Sequence, residues 1–294
     1  MSIYAAVRSV GASGFGYGST AEKVSAGLEL SGRRYLVTGC NSGLGAETVR
    51  VLKLRGATVI GAARSLEKTA NCDEGVVCDL GDLATVRAAV AAVQGPLHGI
   101  IANAGIMALP DLQLIDGVER QFSTNHLGHF VLVTGLQPLL TDDGRVVILA
   151  SGAHKAAPKQ VGIDFDNLDG SKGYSAWTAY GRSKLANLLF AKELATRVQP
   201  GQSVFSVHPG VIATNLTRHM NPLMQLAWKA AAPLALKTEA QGAATQVWAA
   251  LHPDAPKHSG EYLADCNVAR TSRHGRDAEL AKQLWTETER LLSR

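Results

Sequence analysis

The chain has 294 residues, 46% hydrophobic and 18% charged, which gives ample material for a core and excludes a disordered chain. Its net charge of +4 is spread without a Lys/Arg block, which argues against nucleic-acid binding and suits an anionic small molecule. Cys40, Cys72, Cys78 and Cys266 form no CxxC pair and no metal-ligand spacing, so they read as free thiols in a reducing, cytoplasmic compartment with no metal implied.

Residues 1–30 read as an extended Gly/Ser-rich arm with aromatic anchors at Tyr4, Phe15 and Tyr17, ahead of a domain over 31–294. The first twenty residues carry no acid and one arginine, Arg8, a faint likeness to a transit peptide, and they lack the apolar stretch of a secretory signal. No run reaches about 18 apolar residues, so no spanning helix is expected. Arg34–Thr38 reads as a buried strand running into a glycine turn, Thr38-Gly39-Cys40-Asn41-Ser42-Gly43-Leu44-Gly45. A helix over Ala46–Arg55 ends at Gly56. Strands follow at Ala57–Ala63 and Gly75–Cys78, then a helix at Leu83–Val93. A fourth strand, Leu97–Ala102, opens onto Asn103-Ala104-Gly105.

A long helix is predicted over Gly117–Leu140, with Pro138 near its end, and a fifth strand over Arg145–Ala150. Another long helix, Trp177–Val198, leads to a strand at Val204–Val207 that ends at His208-Pro209-Gly210. From Asp277 to Leu292, residues Ala281, Leu284, Trp285, Thr288, Leu291 and Leu292 share one helical stripe. Short apolar strands alternating with helices, with no linker or repeat, specify an α/β fold. The form expected is a doubly wound parallel sheet of Rossmann type in three α/β/α layers, as a single domain.

Ligands of such sheets bind beyond the carboxyl ends of the strands, where the Thr38–Gly45 turn sits. Gly39 permits the sharp exit, Gly43 close approach of a pyrophosphate, and Gly45 tight packing of helix on strand. Asn41, Ser42 and Leu44 complete the turn, and the helix N-terminus offers N–H groups to phosphate. Any tight turn needs glycine, so the place of this one between strand and helix carries the reading. An acid ending the second strand would hold a ribose 2′-hydroxyl; this chain has Ala62-Ala63-Arg64-Ser65. Arg64 can fork onto a 2′-phosphate and Ser65 can add a hydrogen bond, which favours NADP(H) over NAD(H). The plainer account of Arg64 is a surface arginine. Asp79, followed by Leu80, can accept from an adenine amine or can cap the next helix.

Tyr180 and Lys184 stand at i and i+4, on one face of a helix, where an ammonium favours the ionised form of a phenol. These motifs resemble the short-chain dehydrogenase/reductase superfamily and, more narrowly, its retinol-dehydrogenase-like branch, which includes WW-domain-containing oxidoreductases and Tic32-like chloroplast proteins. The narrower likeness rests on Gly14-Phe15-Gly16 with Ser19-Thr20-Ala21-Glu22, on Asn125-His126-Leu127-Gly128-His129-Phe130 and on Ser183-Lys184-Leu185-Ala186-Asn187. Val207-His208-Pro209-Gly210 and Gly260-Glu261-Tyr262-Leu263-Ala264-Asp265-Cys266 extend it over nearly the whole chain from about residue 14.

The chemistry expected is hydride transfer with Tyr180 as acid–base. A free phenol near pKa 10 is too weak an acid for fast exchange at neutral pH, and Lys184 and an oxidised nicotinamide are expected to lower it. Ser151, closing the fifth strand, is expected to bind the substrate oxygen. The branch usually has a second serine where Ala150 stands. The resemblance further implies that Lys184 binds the nicotinamide ribose and that the Asn125 backbone carbonyl holds a water of a proton relay. An asparagine in that helix can equally serve packing alone. It also implies that Asn103, Ala104 and Gly105 border the cofactor, and that Pro209, Gly210, Val211 and Thr214 back the nicotinamide. His208 reads as a core histidine.

The stretch 152–178, with His154, Phe165, Tyr174 and Trp177, and a lid over 215–238, with Met220, Met224 and Trp228, read as apolar substrate walls; the alternative is plain core. The function expected is an NADP(H)-dependent interconversion of a hydrophobic aldehyde or ketone and its alcohol. Peripheral membrane contact through the lid and a homodimer or homotetramer stay open, since relatives pair through the helices of Asn125 and Tyr180 and the arm can block that face. A nucleotide-occupied redox sensor or scaffold is the competing reading.

Overall fold

A computed structural model describes residues 10–212 and 236–293. Its strands are β1 Arg34–Thr38, β2 Thr58–Ala63, β3 Glu74–Val77, β4 Leu97–Ala102, β5 Leu114–Ile115, β6 Val118–Glu119, β7 Leu140–Leu149, β8 Ser203–His208, β9 Tyr262–Ala264 and β10 Asn267–Val268. Side chains of a strand alternate between faces, and here both faces are apolar. Tyr35, Val37, Val59, Ile101, Val147, Leu149, Phe205 and Val207 enter one core. Their neighbours Leu36, Ile60, Ile100, Val146, Ile148 and Val204 enter another on the opposite side. The helices Gly43–Leu54 and Ala244–Leu251 close the first core, through Val49, Leu52 and the fully buried Trp248. Leu83–Ala92, Gly128–Leu136 and Ala176–Leu194 close the second, through Val86, Phe130 and Phe190.

The 8-stranded sheet has the order β10-β9-β8-β7-β4-β1-β2-β3 and is parallel except for β10, which runs antiparallel to β9. From β1 the chain passes outward to β2 and β3, then returns to β4 on the other side of β1. That reversal opens a crevice over the carboxyl ends of β1 and β4, where an open α/β sheet takes its ligand.

Several elements differ from expectation, each for a local reason. The predicted helix over 117–140 starts only at Arg120, because Asp116 (φ 49°) and Gly117 (φ 77°) form the tight turn of the β5–β6 hairpin. Asp-Gly is a strong hairpin signal, with positive φ at both positions. From Arg120 the helix runs in three pieces, with a π-helical turn at Ser123–Leu127 between Arg120–Phe122 and Gly128–Leu136. Pro138 lies in a 3₁₀ turn, Gln137–Leu139, and β7 begins at Leu140, ahead of the expected Arg145. The arm is not simply extended: Ala21–Val24 is helical, capped by Thr20, and Ala21, Val24 and Leu30 belong to the first core. Among the described residues no helix is long and apolar enough to cross a membrane.

Candidate active site

β1 delivers the chain into the glycine turn, where Gly39 (φ 65°) and Gly43 (φ 53°) take left-handed conformations. Gly45 needs its missing side chain most: a Cβ there would lie 2.0 Å from the Gly39 carbonyl oxygen and 2.7 Å from Asn103 Nδ2. The helix Gly43–Leu54 has no acid in its first turn, and its cap Ser42 makes no side-chain capping bond. Asn41 and Ser42 are exposed, Gly43 and Leu44 half-buried. An exposed helix N-terminus with free N–H groups, no competing carboxylate and a floor too tight for a Cβ fits a diphosphate.

At the end of β2, Arg64 is exposed and Ser65 half-buried. Past β3, Asp79 Oδ1 accepts from the Gly81 N–H at 2.9 Å, an Asx turn within its own loop. The cap of the helix Leu83–Ala92 is Asp82, which accepts from Ala84 and Thr85, so the capping alternative for Asp79 is set aside. Leu80 is buried, with its carbonyl against Gly128.

The end of β4 ties this nucleotide end to the rest of the crevice. Thr38 Oγ1 accepts from the N–H groups of both Asn103 and Ala104, each at 2.9 Å, and Asn103 Nδ2 donates to the Thr38 carbonyl at 2.9 Å. With both lone pairs used, the Thr38 hydroxyl has its proton for His129 Nε2, 3.0 Å away. His129 Nδ1–H then donates to the Asn125 carbonyl at 2.9 Å. The hydrogen bonds thus select one neutral tautomer, and burial pulls this histidine down to about 4. The Asn125 side chain donates to Ile106 O and Ser183 Oγ and accepts from Ile106 N, all at 2.9 Å. Gly105 sits between the two ends: a Cβ there would be 3.2 Å from Asn125 Oδ1 and 3.4 Å from Lys184 Nζ.

Ser151 leaves β7 as the cap of a 3₁₀ turn, its Oγ accepting from the Ala153 N–H at 3.2 Å. The same hydroxyl lies close enough to Tyr180 to favour its ionised form. Tyr180 is buried on the helix Ala176–Leu194, its ring edge-on to Trp177 with centroids 6.2 Å apart. Lys184, one turn on, is also buried, with Nζ 5.8 Å from the Tyr180 ring centroid and donating to Leu149 O at 3.0 Å. The expectation that Lys184 lowers the phenol needs correction for the chain by itself. Burial pushes Tyr180 up to about 12, offset only by the Ser151 hydroxyl. The same burial draws Lys184 down to about 8.

His208 is half-buried, and its Nδ1 accepts from the Gly152 N–H at 3.1 Å, so it props the Ser151 turn. Pro209 and Gly210 follow half-buried, and Val211 is 45% exposed. Thr214 and all but the last residues of the expected lid, with Met220, Met224 and Trp228, lie outside the described residues. Of the aromatic groups of 152–178, His154 is buried with Nδ1 on Ser151 O, Phe165 packs on a core cluster, and Tyr174 donates to Leu109 O at 2.6 Å. Trp177 alone of the four is largely open, at 43% exposure, beside Tyr180.

Residues 33–162 match the family described as short chain dehydrogenase. Short-chain dehydrogenase TIC 32 A, chloroplastic, of Brassica napus is 38% identical over 311 residues, covering 97% of this chain and 97% of that protein. The chain belongs to the short-chain dehydrogenase family. Retinol dehydrogenase 11 of Homo sapiens is also similar, 37% identical over 276 residues that cover 88% of this chain and 85% of that protein. A crystal structure of an uncharacterized protein from Mycobacterium paratuberculosis matches with a TM-score of 0.73 and 34% identity, over 92% of this chain and 97% of that one. A blue fluorescent protein from a metagenomic library, solved in complex with NADPH, matches with a TM-score of 0.62 and 26% identity, over 80% of this chain and 97% of that one.

As a short-chain dehydrogenase the protein is an oxidoreductase with the Rossmann-type sheet expected of it. Thr38, His129 and Ser183 stand inside the sequence motifs, but their roles emerge only in the fold. His129 did carry a signal, a polar residue one helical turn beyond Asn125 in an apolar helix. Thr38 had none, since its role depends on where β4 ends.

Proposed function

We propose that this short-chain dehydrogenase interconverts a hydrophobic aldehyde or ketone and its alcohol with NADP(H), using Tyr180 as general acid and base. The observation that carries the reading is the buried Tyr180 with the Ser151 hydroxyl beside it and the buried Lys184 one turn on, at the mouth of a crevice whose other end is a diphosphate-shaped turn. Bound NADPH would supply the hydride for the carbonyl carbon. Tyr180 gives its proton to the substrate oxygen and recovers one from solvent, so carbonyl, NADPH and a proton become alcohol and NADP⁺. A phenol held near 12 is protonated throughout the working range, which suits the donor role. In the reverse direction the positive charge of NADP⁺ and of protonated Lys184 would favour the phenolate.

Ser151 Oγ, half-buried, bonded to the Ala153 N–H and beside Tyr180, orients the substrate oxygen. Lys184 and Asn125, close to one another across Gly105, hold the nicotinamide ribose and the relay toward solvent. Gly39, Asn41, Ser42, Gly43, Leu44 and Gly45 take the diphosphate, Asp79 and Leu80 the adenine side, and Asn103 to Gly105 the crevice floor. Pro209, Gly210 and Val211, with Thr214 beyond the described residues, back the nicotinamide. Arg64 and Ser65, with no acid beside them, take the 2′-phosphate. The NADPH held by the blue fluorescent protein supports the choice of nucleotide. Trp177, open beside Tyr180, supports an apolar body on the substrate, and four free thiols suit a reducing compartment.

The test compares NADPH and NADH binding in the parent and in Arg64→Ala. Loss of charge-assisted hydrogen bonds should weaken NADPH roughly 10- to 100-fold and leave NADH unchanged. Equal effects on both would remove the phosphate clamp. Tyr180→Phe should lower kcat on an apolar carbonyl by about 10²-fold or more while NADPH still binds. Tight NADPH binding with no turnover of any carbonyl in the parent would favour the sensor reading instead.

A further inference from the structure

Two motifs have no part in the chemistry above: the arm segment around Gly14–Glu22 and the segment Gly260–Cys266. Both converge on one buried ammonium. Lys237 is 1% exposed, yet its Nζ lies 2.6 Å from Asp265 Oδ1 and 4.7 Å from the centroid of the Tyr17 ring. A buried ammonium persists when a carboxylate and an aromatic face replace its water, and here the β9–β10 turn supplies one and the arm the other. That turn is shaped for the purpose, with Asp265 (φ 52°) and Cys266 (φ 61°) both left-handed.

The arm is fastened to the same region by backbone contacts. Asn267 accepts from the Ser13 N–H and donates to Phe15 O, each at 3.0 Å, and Gln241 Nε2 donates to Gly18 O at 3.5 Å.

The stem of Lys237 meets the turn after β8. A Cβ on Gly210 would lie 2.8 Å from Lys237 Cδ, and Gly210 takes a φ of 90°, so only glycine lets the two segments touch. The Lys237 N–H donates to Val211 O at 2.9 Å, and Ile212 and Lys237 form a parallel bridge. The charge of Lys237 is also felt at His208, where burial is the larger influence holding the imidazole neutral.

We propose that Lys237, latched by Asp265 and Tyr17, is a positioning residue that fixes the Gly210–Val211–Ile212 turn against the nicotinamide end of the nucleotide site. The arm thereby governs hydride-transfer geometry without reaching the reacting atoms. This rests on the reading that the turn backs the nicotinamide. Ile212 also lies with Leu44 of the glycine turn beside Gly242, whereas Arg64 and Ser65 stand at the end of β2, so the latch should act more on the nicotinamide half than on the 2′-phosphate half.

Titration with NADPH and with 2′,5′-ADP, which carries the adenosine and 2′-phosphate but no nicotinamide, separates the halves. Lys237→Met should weaken NADPH about ten-fold and leave 2′,5′-ADP within about two-fold, and Lys237→Arg should restore part of the loss. Asp265→Asn and Tyr17→Leu should shift NADPH in the same direction; they serve as the test if Lys237→Met does not fold. Parallel loss of both ligands would mark a general structural role and overturn the latch, as would no loss of either. Failure of the parent protein to bind 2′,5′-ADP would instead overturn the NADP(H) reading, and the latch with it.

Discussion

Tyr180 and Lys184 are both buried, and burial disfavours whichever form is charged, so the phenol rises to about 12 while the ammonium falls to about 8. Lys184 therefore loses its charge as pH rises through about 8, within the range where enzymes are assayed. If that charge serves nucleotide binding and proton delivery, kcat/KM for NADPH should fall above pH 8 with the slope of a single proton. That parameter reports groups of the free enzyme. A profile flat to pH 10 would show that Lys184 acts without its charge.

Three histidines make the opposite edge. Burial holds His126 near 3, His129 near 4 and His208 near 4, against an ordinary value of 6.5. A group whose folded pKa is depressed gives its full stability above the unfolded value and loses it as pH falls toward the folded one. The thermal midpoint should accordingly drop between pH 6.5 and 4. His126→Gln, which keeps a hydrogen-bonding group opposite Thr288 but takes no proton there, should flatten that drop in a calorimetric series.

Two elements set the site by contact rather than by charge. Gly45 lets the helix Gly43–Leu54 start so close to the end of β1 that Gly45→Ala would place a methyl 2.0 Å from the Gly39 carbonyl oxygen. Backbone cannot yield as a side chain can, so the turn must open. NADPH binding should fall below detection in a titration while far-ultraviolet dichroism stays near that of the parent. On the other side of the sheet, the helix Ala278–Leu292 lies over Gly128–Leu136 and Ala176–Leu194, the two helices that follow Asn125 and carry Tyr180. Trp285 meets the Phe130 ring at 4.8 Å and the Phe190 ring at 5.9 Å, and the Arg197 guanidinium caps it at 4.1 Å. His126 Nε2, in the π-helical turn before Gly128, and Thr288 Oγ1 of the C-terminal helix lie 2.9 Å apart. Loss of an indole from such a seat leaves a cavity, so Trp285→Ala should cost about 3–5 kcal/mol in denaturant unfolding.

At the scale of the molecule, what the sequence made legible follows from how each part is encoded. The strands β1, β2, β4, β7 and β8 are buried on both faces and read as apolar runs, and β4 was placed residue for residue at Leu97–Ala102. Ser151, Tyr180, Lys184 and the glycine turn sit in contiguous motifs, so their convergence was open to inference. The helix Ala244–Leu251 was missed; it is only eight residues long, and every one of them is buried. The three-residue β9 is too short to show a period, and Lys237 and Thr38 take their roles from segments distant in sequence.

The cover of the Asn125 and Tyr180 helices likewise depends on segments distant in sequence. The alternatives were pairing through the helices of Asn125 and Tyr180 or cover of that face by the arm, and the described part of the arm packs in the opposite core through its helix Ala21–Val24. The C-terminal helix covers that face instead, joining Leu280, Ala281 and Leu284 to Leu185, Ala186 and Leu189. Among the described residues, a face packed by its own C-terminal helix offers less apolar surface to a second copy. Light scattering should therefore give a monomer near 31.0 kDa. Removing residues 278–294 would bare Phe130 and Phe190 and should yield dimers or aggregates. A parent protein that elutes as a stable dimer, with Trp285 still quenched from solvent, would mean that pairing uses another surface.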